Sequence, residues 1–104
     1  MINFLEETKN KLAENGKNIF DVLWYGTKDF VISNDIQQLF SFDYDDGFGG
    51  TEIPVELIIV GEDWWMERHE YDGGEWWEFK QMPVKPKSKK PASSLIEFKL
   101  KGLQ

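Results

Sequence analysis

The chain has 104 residues, 40% of them hydrophobic, with eight Phe, five Trp and no Cys. That length holds one domain around one modest core, and the missing thiols exclude a disulfide framework and thiolate chemistry. Nineteen acids against twelve bases are unevenly placed: residues 1–80 carry eighteen acids and six bases (net −12), residues 81–104 one acid and six bases (net +5). An acidic field of this kind repels nucleic acid and anionic membrane and favours a basic partner, while also keeping an aromatic-rich chain in solution.

The opening MINFLEETKNKL lacks the basic start, apolar run and cleavage site of a secretory signal. LIIV at 57–60 is too short to cross a bilayer. With no cysteine, the expectation is a cytoplasmic protein without a membrane partner. A helix is expected over about residues 4–15, with Asn3 and Glu6 as a reciprocal cap and Leu5, Leu12 and Ala13 towards the core. Glu7 and Lys11 have the spacing of a favourable pair, and Asn15-Gly16 reads as the stop.

IFDVLWYGTKDFVIS changes period. A β-hairpin turning at 26–28 fits it, and so does a short helix over 18–24. Ser33 or Asn34 then caps a short helix bearing Ile36, Leu39 and Phe40. DYDDGFGGTE at 43–52 reads as a loop, and VELIIV at 55–60 as the clearest strand. An EF-hand alignment of that loop puts Phe48 where glycine must turn and Pro54 where the bidentate glutamate belongs, leaving only weak cation binding by Asp43, Asp45 and Asp46.

WWMERHEYDGGEWWEF, residues 64–79, reads as a hairpin turning on Gly73-Gly74, which pairs Tyr71 with Trp76 and His69 with Glu78. Alternation puts Trp65, Glu67, His69, Tyr71, Trp76 and Glu78 on one face, the candidate interaction surface. Trp64, Met66, Arg68, Glu70, Trp77 and Phe79 form the other, core-directed face. Cross-strand aromatic pairs also stabilise a sheet without binding anything.

Glu67, His69 and Glu78 are three potential metal ligands, but one histidine without cysteine is thin support, and no metal or cofactor is expected. No catalytic residue stands out: the acids are too many to single out a proton donor, and the lone histidine has no nucleophile motif. Residues 81–94, with their lysines and prolines, read as a flexible arm. Residues 95–104 alternate as an edge strand or docking segment. The expected fold is α+β, a small antiparallel sheet of four to five strands packed by one or two helices.

KDFVIS, FDYDDGFGGTEI and WWMERHEYDGGEWWEF, followed by the lysine–proline arm, resemble small acidic proteins encoded by phages and prophages of Gram-positive bacteria. The resemblance covers most of residues 20–90. It implies a host-cell cytoplasm and a role in phage–host interaction, and it transfers no catalytic residue. The expectation is a non-enzymatic protein-interaction or regulatory module with a protein partner, basic in character, and no direct nucleic-acid binding by the folded part. A homodimer stays open. The alternatives are an acidic nucleic-acid mimic and a small-ligand or metal-binding module.

Overall fold

The computed structural model describes residues 1–45 and 52–96. Its elements are β1 (Ile2–Asn3), α1 (Phe4–Glu14), a 3-10 turn (Ile19–Asp21), β2 (Trp24–Gly26), α2 (Ile36–Leu39), β3 (Asp43–Tyr44), β4 (Ile58–Val60), β5 (Trp64–Tyr71) and β6 (Gly74–Gln81). The order β2-β4-β5-β6 is antiparallel throughout, and β1 pairs with β3 in a second, two-stranded sheet. The α+β expectation holds.

α1 starts where Asn3 accepts the Glu6 amide, without a reciprocal bond from the Glu6 side chain. It ends in a Schellman motif: Gly16 N–H donates to Ala13 O and Lys17 N–H to Leu12 O, with Gly16 at φ 72°. Its buried stripe is Phe4, Thr8 and Leu12, while Ala13 is exposed. Thr8 belongs in the core because its hydroxyl is satisfied twice, donating to Phe4 O and accepting the Trp77 indole N–H at 2.9 Å. The Glu7–Lys11 pair is replaced: Lys11 lies 3.8 Å from Glu14, and Glu7 turns inward to Arg68.

The stretch 18–32 divides between its two readings. Asn18 and Asp21 cap the 3-10 turn reciprocally, and a strand follows only at Trp24. The return leg is one bridge, Gly26 to Val31, supported by Ile32 N–H to Tyr25 O. α2 is capped by Asp35, whose carboxylate accepts from Gln37 N–H, rather than by Ser33 or Asn34. In 43–52, Asp43–Tyr44 is strand β3; residues 46–51, including Asp46, lie outside the described residues. VELIIV contributes strand only at 58–60, since Leu57 N–H closes a turn onto Pro54 O.

The tryptophan hairpin turns one residue earlier than Gly73-Gly74. Asp72 (φ 51°) and Gly73 (φ 85°) are the loop, both left-handed as a type I′ turn requires. Tyr71 therefore faces Gly74, His69 faces Trp76 and Glu67 faces Glu78. The slip moves each partner by two residues, so the membership of the two faces survives intact.

Trp64, Met66, Arg68 and Trp77 are buried on the inner face, where α1 and the segments around Phe40, Tyr44 and Ile53 complete the core; Glu70 is exposed. Residues 82–94 are exposed and carry neither helix nor strand. Leu95 and Ile96 stand in a helical turn, and the rest of the expected 95–104 strand lies outside the described residues.

Candidate functional site

The outer face of the sheet follows from register. Trp24 lies beside Val60, Val60 beside Trp65, and Trp65 beside Lys80; Ile58, Glu67 and Glu78 form the next row, then His69 with Trp76. α1 packs on the opposite face, where Phe4 stacks on Trp77 and Thr8 accepts its indole N–H. Tyr71 is 78% exposed and Trp76 38%, and Trp24, Ile58, Val60 and Trp65 are half-buried. The six expected residues thus share one surface, which Trp24, Ile58 and Val60 extend. Those three were missed because only strand pairing brings them beside the hairpin.

The polar groups of this face fix its rings. The Trp65 indole N–H donates to Glu67 at 2.9 Å and the Trp76 indole N–H to Glu78 at 3.2 Å. His69 Nε2 lies 2.8 Å from the Glu67 carboxylate and 3.7 Å from that of Glu78, with its ring stacked near Trp76. Lys80 adds a contact to Glu78 at 3.4 Å. Glu67 is held below the ordinary glutamate value, first by the His69 contact and then by the Trp65 bond. Glu78 is lowered chiefly by Trp76. These bonds relieve the repulsion of two carboxylates placed directly opposite each other.

Beneath the other face lies a polar cluster that alternation alone does not announce. Arg68, 5% exposed, donates through Nη1 to Glu7 at 3.0 Å and through Nη2 to Glu75 and to the Tyr44 hydroxyl, each at 3.1 Å. Glu75, 4% exposed, also accepts the amides of Glu52 and Ile53, and Tyr44 donates to Glu7. The guanidinium carbon sits 4.9 Å from the Trp77 ring centroid and 5.1 Å from that of Phe4. Burial raises the Tyr44 hydroxyl above its ordinary value; the bond to Glu7 adds to the rise and Arg68 opposes it. Nη1 and Nη2 are satisfied within the cluster, while the buried Arg68 Nε has no hydrogen-bond partner among the described residues. The cluster joins α1, β3, β5, β6 and the segment at 52–53, a structural role.

Among the described residues no group of three or more His, Asp or Glu side chains is placed to hold a metal ion, and no helix is long and apolar enough to cross a membrane. No family model, curated protein or solved structure matches the chain. What the outer face offers chemically is aromatic area with fixed orientation, rimmed by two carboxylates, an imidazole and an ammonium group.

Proposed function

We propose that this chain is a non-enzymatic protein-interaction module, regulatory in role, that engages a partner through the outer face of its sheet. The observation that carries the reading is the partly exposed aromatic face of Tyr71, Trp76 and Trp65, whose indoles are held by Glu67 and Glu78. Trp and Tyr supply large contact area with few rotatable bonds, and rings already fixed in the free protein lose little freedom on binding. The acidic field of residues 1–80 favours a basic partner and raises its encounter rate. The phage-related setting and the host cytoplasm rest on the sequence resemblance.

Affinity capture from a Gram-positive bacterial lysate tests the reading, with wild type compared against Trp65→Ala/Trp76→Ala. A partner retained by the first and lost by the second is the expected result. Equal retention by both would remove the outer face from the interaction. Loss of catalytic turnover in the double variant, for any reaction detected in wild type, would replace the module with an enzyme.

A further inference from the structure

β6 closes the four-stranded sheet on the side away from β2, and among the described residues no strand pairs with its outer edge. The phase of that edge is fixed: Met82 N–H donates to Asp63 O at 2.8 Å. Hydrogen-bonded and non-bonded pairs alternate in an antiparallel ladder, so the backbone of Trp76, Glu78 and Lys80 faces β5 while that of Trp77, Phe79 and Gln81 faces away. Natural edges are blunted by proline, a bulge, short length or charged side chains, and of these β6 has only charge, at Glu75, Glu78 and Lys80. This one runs for eight residues, GEWWEFKQ, in unbroken register.

Alongside it lies α1. Two contiguous open grooves of about 450 and 420 Å³ separate helix from strand, lined by Glu6, Glu7, Lys11 and Glu14 on one side and Trp77 and Phe79 on the other. Glu7 is already paired with Arg68, so the grooves present Glu6, Glu14 and Glu78 against Lys11, net −2. We infer that this edge receives an extended basic segment of a partner protein, which adds to β6 as a further strand. The inference rests on the protein-interaction reading and supplies it with a second contact.

The chemistry of the occupant follows from the period of two. Its inward side chains meet the acidic flank of α1, so Lys or Arg belongs at every second position. Its outward side chains extend the row beside Trp76, where apolar residues continue the sheet face. A second copy pairing edge to edge would set two acidic grooves side by side, so charge disfavours it.

The probe is a blocked nine-residue peptide, KVKIKVKIK, titrated into the full-length protein and followed by amide hydrogen exchange. Before addition, the amides of Trp77, Phe79 and Gln81 exchange fast while those of Trp76, Glu78 and Lys80 are protected; the peptide then protects the first three. Replacing its lysines by glutamate, or Gln81→Pro, which removes an outward donor and leaves the β5 ladder intact, weakens binding about tenfold or more. Trp65→Ala leaves the peptide affinity unchanged although it weakens the outer-face partner, which separates failure of this inference from failure of the first. Unchanged thermal unfolding of Gln81→Pro shows that the variant is folded. If that variant unfolds, the glutamate peptide and the exchange pattern decide alone.

Several results overturn the inference. One is no binding at millimolar peptide; another is binding without protection of the three amides. A third is loss of affinity in Trp65→Ala but not in a folded Gln81→Pro. Prior protection of the three amides in the free protein also overturns it: in a dimer it assigns the edge to a second copy, and in a monomer to the remainder of the same chain.

Discussion

Arg68 gathers Glu7, Tyr44 and Glu75 around one guanidinium and packs its plane against Phe4 and Trp77. Removing one member of such a buried set leaves the others charged and unpaired, which costs more than the set contributes in net terms. Arg68→Met is therefore expected to destabilise the fold by about 3–5 kcal/mol in urea titration. Arg68→Lys should rescue little of that, because an ammonium cannot span both carboxylates and the Tyr44 hydroxyl from one plane. On the opposite face, Glu67 and Glu78 have lowered values, so they stabilise the fold above the ordinary glutamate value, and that contribution is lost as pH falls through their folded values. Carboxyl NMR titration should place both midpoints below those of free glutamate. Trp65→Phe should move Glu67 upward and leave Glu78 in place. Alternation places Arg68 on the core-directed face, whereas Glu75 and Thr8 are hard to read as core because a polar side chain interrupts an apolar stripe. Only the partners that satisfy it, 69 residues away for Thr8 and Trp77, show that it is buried.

The hairpin shows what alternation conveys and what it does not. Its two faces were legible because side-chain direction has a period of two, and they stayed correct although the turn shifted from Gly73-Gly74 to Asp72-Gly73. The register was not legible, because Asp-Gly and Gly-Gly are both competent type I′ pairs and nothing local decides between them. Gly73→Ala puts a Cβ at φ 85° and should cost about 1 kcal/mol or more, measured by thermal unfolding. Asp72→Asn should be close to neutral, since both residues tolerate that conformation. Gly61 is constrained by contact instead: an added Cβ would stand 2.0 Å from the ring of Trp64, itself stacked on Phe79. The shortened β4 has a comparably plain cause, the turn that Pro54 and Leu57 close before the apolar run becomes extended.

At the scale of the molecule, α1 and the segments around Phe40, Tyr44 and Ile53 pack on one side of the sheet, while the other side leaves Tyr71 and Trp76 exposed and Trp24, Ile58, Val60 and Trp65 half-buried. The α+β class was readable from a capped amphipathic segment followed by alternating strands, whereas the outer face needed the lateral order β2-β4-β5-β6 to become visible. That division makes a prediction about stability and binding together. Trp65→Ala/Trp76→Ala should lose only the modest stabilisation that the two indoles give Glu67 and Glu78 while losing its partner, since both rings lie outside the core. Trp77→Ala, by contrast, should cost about 3–5 kcal/mol as a core truncation. The measurement is thermal unfolding of all three proteins beside the capture assay.

The wiring of the core also bears on how the chain is made. Ile2 pairs with Tyr44, Glu7 with Arg68 at a separation of 61 residues, and Thr8 with Trp77 at 69. A nascent chain leaving the ribosome therefore presents α1 long before its counterparts exist, and the Arg68 cluster closes only after β6 has emerged. Such long-range closure slows folding relative to a helical protein of equal size. Until then the apolar flank of Phe4 and Leu12 stands open to solvent, beside the acids Glu6, Glu7 and Glu14, whose like charge opposes association between such helices.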